Sequence, residues 1–133
     1  MPRMSNPAAV APPYKNIYSH TAEVRAGSRL VFTSGQLGIA PDGSVSSEFK
    51  GQAEQVMKNL AALLAHHGVG VESLVRINAY VLERAQIPVL AQARSAWLGD
   101  ARPAMTTVVV SGLAAPEWLL EVEVVFSVEE ARP

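Results

Sequence analysis

The chain has 133 residues, 49% hydrophobic and 17% charged, with a net charge of −1 and no cysteine. This length supports one domain with a real core, and the charge balance offers no electrostatic footprint for nucleic acid or an anionic membrane. The missing cysteines remove disulfides, thiolate catalysis and cysteine-ligated metals, and no apolar run approaches the ~20 residues that span a bilayer.

A low charged fraction leaves more apolar surface than a monomer comfortably exposes, which favours an oligomer. The opening MPRMSNPAAVAPP lacks the apolar core of a signal peptide. It reads as a loose, proline-rich lead-in over residues 1–13, and a cytoplasmic protein is the default expectation.

Residues 21–24 form a short strand candidate, residues 26–28 (AGS) supply a turn, and residues 29–34 (RLVFTS) form a second strand, so the pair reads as a hairpin. Gly35 interrupts it. Residues 37–39 offer a further extended piece before the turn Pro41-Asp42-Gly43. Residues 47–67 are the clearest helix, with Ser46 or Ser47 as cap. Phe49, Ala53, Val56, Met57, Leu60, Leu63, Leu64 and His67 make one apolar stripe at three- and four-residue steps. Gly68 stops it.

Residues 75–82 (VRINAYVL) alternate as a strand, with Val75, Ile77, Ala79 and Val81 on one side. Pro88 opens a second helix that runs to about Leu98. Its inner face carries Ile87, Leu90, Ala91, Trp97, Leu98 and one misfit, Arg94, whose stem is expected to pack while its charge reaches the rim. Residues 106–110 and 119–126 close the chain as two strands. The order β-β-(β)-α-β-α-β-β, without a linker, describes a single domain over residues 1–133 in the α/β (α+β) class, one sheet with one layer of helices.

The last strand carries Glu121 and Glu123 within an apolar run. Alternation puts both carboxylates on one face and Val122, Val124 and Phe126 on the other. A carboxylate so placed is either solvated or held in a pocket for use. Glu123 is more often a structural partner. Arg102 is either a solvated loop cation or a ligand-holding guanidinium, and Tyr18 either packs or covers a small ligand. His20, His66 and His67 show no metal spacing, and Ser34 lacks the partners of a hydrolase triad.

YSH at 18–20, VFTSGQ at 31–36, the helix from Gln52 to Leu64 with Asn59-Leu60, VRINAYVL at 75–82, RPAMTTV at 102–108 and LLEVEVV at 119–125 occur in an order and spacing that resemble the RidA/YjgF family. The resemblance spans nearly the whole chain. It implies a chorismate-mutase-like fold, a mixed sheet backed by two helices, assembled as a homotrimeric barrel with a small-molecule cleft between subunits. It further implies hydrolysis of reactive enamines or imines to a carbonyl compound and ammonia, without cofactor. On that resemblance Glu121 is the proton shuttle and Thr107 positions water or substrate, while Tyr18, Ser34 and Gly35 line the ligand. The family's carboxylate-holding arginine is replaced by Met105, which alters the expected substrate range, and Arg102 lies three positions upstream as a possible substitute. Ala91 and Arg94 stand where the family often has asparagine and tyrosine. The alternative is a trimer that keeps the cleft, binds a small metabolite and has lost the chemistry.

Overall fold

The computed structural model describes residues 1–130. Within them are β1 (Arg3–Ser5), β2 (Thr21–Glu23), β3 (Arg29–Phe32), α1 (Phe49–His66), β4 (Leu74–Val81), α2 (Ile87–Leu98), β5 (Ala104–Val109) and β6 (Leu120–Val128). The main sheet has the order β3-β6-β4-β5, and β1 pairs with β2 in a separate two-stranded sheet. β6 runs antiparallel to both its neighbours, whereas β4 and β5 are parallel. A parallel pair needs a long crossover, and α2 supplies it. The result is a mixed α+β fold with both helices packed on one face of the sheet.

The local chemistry explains the elements. On α1 the buried residues are Gln52, Ala53, Val56, Met57, Leu60 and Leu64, so the apolar stripe is the buried face. The helix begins at Phe49 rather than at the expected 47, because Ser46 Oγ accepts the Glu48 N–H at 3.1 Å and holds the chain in a turn just before the first helical residue. Gly68, at φ +73°, ends it. α2 carries Pro88 in its first turn, where the missing N–H is no loss.

The core lies between the sheet and the helices. Ile77, Ala79 and Val81 of β4 and Leu120, Val122, Val124 and Phe126 of β6 meet Val56, Leu60 and Leu64 of α1 and Leu90 and Leu98 of α2. His67, just past the end of α1, packs its ring edge-on against Phe126 at 5.4 Å between centroids. β4 has an irregularity between Leu74 and Arg76, so Leu74 is buried and Val75 is only half-buried, although Val75 was expected to lead the inner face.

Four expectations are corrected. The lead-in is not loose throughout: Arg3–Ser5 pairs antiparallel with Thr21–Glu23, and the Ser5 and Thr21 hydroxyls are hydrogen bonded. β2 and β3 therefore form no hairpin. Gly27, at φ +85°, does turn the chain, but β2 takes β1 as partner while β3 takes β6. Residues 37–39 contribute only an isolated bridge, Ile39 to Val45. The expected single sheet is two, because β1 and β2 pair apart from the four strands of the main sheet, in which β4 lies between β5 and β6. No helix among the described residues is long and apolar enough to cross a membrane.

Candidate functional site

The register of β6 decides where its carboxylates go. Val122 and Val124 face the helices, so Glu121 and Glu123 lie on the open face of the sheet, opposite Tyr80 and Asn78 of β4. Glu123 is held within the chain. It accepts a 2.6 Å hydrogen bond from Tyr80 Oη and a 3.4 Å one from Asn78 Nδ2. That bond, with burial and the charges of Glu123 and Glu121, raises the Tyr80 phenol above its ordinary range. Beside them Arg76 donates to Thr106 Oγ1 at 2.7 Å.

Glu121 is half-buried and takes a different neighbour. After β3 the chain keeps contact with β6: the Thr33 N–H reaches Val124 O at 3.0 Å, and Gln36 exchanges both backbone bonds with Val122 at 2.7 and 3.1 Å. Ser34 and Gly35 thus stand opposite Glu123 alone, which is a bulge of one extra residue. The bulge presses Gly35 against Glu121. A Cβ at Gly35 would lie 2.2 Å from Glu121 Oε2 and 2.5 Å from its Cδ. Glycine is needed here for close approach and not for its dihedral freedom, because Gly35 is not among the positive-φ glycines. Ser34, Gly35 and Glu121 are therefore brought together. Ser34 is exposed and borders a hollow of about 240 Å³ shared with Phe32, Gln36 and His67.

The second group sits at the edge strand. Met105 and Thr107 pair in register with Ile77 and Ala79, both buried on the helix side, so their side chains share that face. Met105 packs against the core. Arg94 of α2 reaches across and donates from Nη1 to Thr107 Oγ1 at 3.1 Å. It is only 4% exposed, so its charge does not reach the rim as expected. Burial holds its guanidinium below the ordinary range.

Arg102 is engaged by backbone carbonyls. Nε donates to Asn16 O at 2.9 Å and Nη1 to Gly99 O and Ala101 O at 2.7 and 2.9 Å. It is neither a free loop cation nor a substitute for the residue at 105; it ties the end of α2 to the segment before β2. Tyr18 belongs to that segment. Its hydroxyl accepts the Tyr14 N–H at 3.1 Å, its ring stands edge-on to His20, and the Ser19 N–H beside it bonds Pro103 O at 3.2 Å.

Glu121 and Thr107, expected side by side, point to opposite faces of the sheet within one chain. Glu121 pairs with Tyr80 and Thr107 with Ala79, and adjacent strand residues face oppositely. One chain thus carries two separate groups: Glu121 against Gly35 on the open face, with Ser34 next to them at the β3 edge, and Thr107, Met105 and Arg94 beneath α2. Sequence reasoning undervalued Arg94. The signal was there, a cation on an apolar stripe in a helix with no acidic residue, but nothing local says that the adjoining strand offers only a hydroxyl.

A mixed four-stranded sheet with two helices on one face defines a small α+β fold, and known proteins share it. Residues 8–128 match the family model described as endoribonuclease L-PSP. The chain belongs to this family, the RidA/YjgF family. Protein DfrA of Myxococcus xanthus is 32% identical over 109 residues, 80% of this chain and 79% of that protein. The crystal structure of YyfB from Yersinia pestis, a Rid-family protein of unknown function, superposes with a TM-score of 0.85 at 26% identity, covering 96% of this chain and 98% of that one. RidA from the Antarctic bacterium Psychrobacter sp. gives a TM-score of 0.70 at 28% identity over 95% and 100% of the two chains.

Proposed function

We propose that this protein hydrolyses reactive imines or enamines to a carbonyl compound and ammonia, in clefts formed between the subunits of a homotrimer, with a substrate range distinct from that of arginine-bearing relatives because position 105 is methionine. The observation that carries the reading is the Glu121 carboxylate set against the Gly35 bulge on the uncovered face, in a chain of the RidA/YjgF family. The chemistry is modest. Water adds to the electrophilic imine carbon, and the resulting carbinolamine expels ammonia and leaves the carbonyl. Glu121 takes a proton from the attacking water and passes it to the imine nitrogen, then takes the carbinolamine hydroxyl proton and passes it to the amine, which departs as ammonia when the C–N bond breaks. Protons balance without an outside redox partner, and no cofactor enters the scheme.

Assembly is part of the proposal because Glu121 and Thr107, taken as halves of one site, face apart in one chain. Two features favour it. The open face exposes Leu30 and Phe32 on β3 and Val108 on β5, Phe32 at 71%, apolar side chains at its two edges that further copies would cover. β5 ends the sheet with an unpaired edge, which proteins ordinarily cover. Packing copies edge to face brings Thr107 of one toward Glu121 of the next. Light scattering at micromolar concentration should give the mass of a trimer; a monomer or dimer mass removes the shared cleft.

The direct test is ammonia release from imines generated in situ. Acceleration over the uncatalysed reaction, lost in the Glu121 variant treated below, is the expected result. No acceleration for either anionic or neutral imines overturns the enzymatic reading. One observation favours a binding-only protein, the packing of Met105 into the core instead of a polar group aimed at substrate. Retained keto-acid binding without ammonia release would establish that second reading.

A further inference from the structure

We infer that Arg94 is the anion-holding residue of this protein, its guanidinium and the Thr107 hydroxyl together receiving the carboxylate of a small 2-oxo or 2-imino acid. The inference places its ligand in the cleft of the reading above, and so rests on it for where the reacting carbon lies.

The argument starts from the cost of a buried charge. Arginine stays protonated in proteins, and an uncompensated cation taken out of water is expensive. Arg94 is 96% removed from solvent. Its one side-chain hydrogen bond among the described residues goes to a neutral hydroxyl, and no ion pair reaches it there. α1, which packs on α2, carries Glu54, but that carboxylate is exposed and lies 4.0 Å from Lys50; the elements that enclose Arg94 offer no counter-charge. α2 reads IPVLAQARSAWL, β5 reads AMTTVV and β4 reads LVRINAYV, with no Asp or Glu in any of them. Nearby Arg102 is already bound to carbonyls.

The remaining guanidinium N–H groups are not sealed in. No fully buried side-chain nitrogen or oxygen among the described residues lacks a partner, so the unbonded nitrogens of Arg94 keep a narrow opening to solvent. A narrow opening selects a small ligand. A single cation beside one hydroxyl matches a monocarboxylate, whose two oxygens fit the planar fork of the guanidinium. A phosphate dianion would need a second cation, and the other one on these elements, Arg76 of β4, faces the opposite side of the sheet and donates to Thr106 Oγ1. Thr107 can turn its hydroxyl hydrogen to the same carboxylate as a third bond, and Met105, on the same face of β5, offers an adaptable apolar wall to the rest of the ligand.

The experiment is a binding titration of the full chain with 2-oxobutanoate and with its uncharged methyl ester, followed by NMR or thermal shift, on wild type, Arg94→Met and Arg94→Lys. The wild type should prefer the anion by about 10-fold or more, the scale of a charge-assisted bond. Arg94→Met should lose that preference. It should still fold, since it removes a desolvated charge and keeps an apolar stem. If it does not fold, Arg94→Lys decides, because lysine keeps the charge without the fork and should bind the anion several-fold more weakly. A wild type without anion preference overturns the inference, as does either variant that keeps the full preference. A wild type that ignores 2-oxobutanoate, with an Arg94→Met variant that loses its oligomer, assigns the counter-charge to a carboxylate of a second copy and also overturns it. Arg94-dependent anion binding without ammonia release leaves this inference standing and removes the enzymatic reading. Equal hydrolysis of anionic and neutral imines does the reverse.

Discussion

Replacing Glu121 with glutamine is expected to lower ammonia release from imines by on the order of 10²-fold or more, as for a lost general acid–base, with the fold intact. Glutamine keeps the length and shape of the side chain, so its fit against Gly35 survives. It cannot accept the proton of the attacking water or deliver it to the leaving nitrogen. Glu123 is poorly placed to take over, being bonded to Tyr80 and Asn78. Gly35→Ala tests the same point from the other partner. The new Cβ would overlap Oε2, Cδ and Cγ of Glu121, the far end of a flexible side chain, so the carboxylate moves and the backbone stays. That variant should melt close to wild type and still lose most of its rate. Wild-type rates in Glu121→Gln would remove this residue from the mechanism. Slow Glu121→Gln with fast Gly35→Ala would keep the residue but discard its observed position.

The largest stability effect is expected at Phe126. It is fully buried and lies on β6, which has strand neighbours on both sides: Val31 of β3 and Leu74 of β4 pair with it directly, and His67 stacks on its edge. Phe126→Ala removes the ring and leaves a hole that sheet backbone on both sides prevents from closing. Such changes cost about 3–5 kcal/mol. For a chain of this size the melting temperature should fall by roughly 10–20 °C. Denaturant melts of wild type and variant at one protein concentration would check it, since assembly makes stability concentration-dependent. A loss under ~1 kcal/mol would mean that the space refills, and would place the core elsewhere than on this face of β6.

Much of the fold was legible because its signals are local. The stripe of α1 and the alternation of β6 follow from the 3.6 and 2.0 periods of the backbone. These put Val122, Val124 and Phe126 on one face and Glu121 and Glu123 on the other, as observed. Gln52 was less readable. It is buried on α1, where its amide bonds Ser46 O and Glu117 O at 2.9 Å and accepts the Leu119 N–H at 3.0 Å. A polar residue on an apolar stripe is explained only by the distant backbone it satisfies.

The sequence by itself determined which residues share a face within each element, where the helices stop, and that a carboxylate pair lies outside the core. It also carried enough ordered motifs to indicate the family. Partner choice was left to the tertiary structure. Whether β2 joins β3 or β1 depends on backbone groups that look alike in any sequence, and is decided by which edges the rest of the chain leaves open. Register across strands decided that Thr107 and Glu121 face apart, since a side chain's face is defined relative to its neighbour and not to its own sequence. Packing decided the two arginines. Arg102 lies within reach of two carbonyls at the end of α2 and one at Asn16, and Arg94 is trapped between α2 and β5 where its one side-chain partner is a hydroxyl. Each is the same guanidinium; what separates the two is the set of acceptors the fold brings to each.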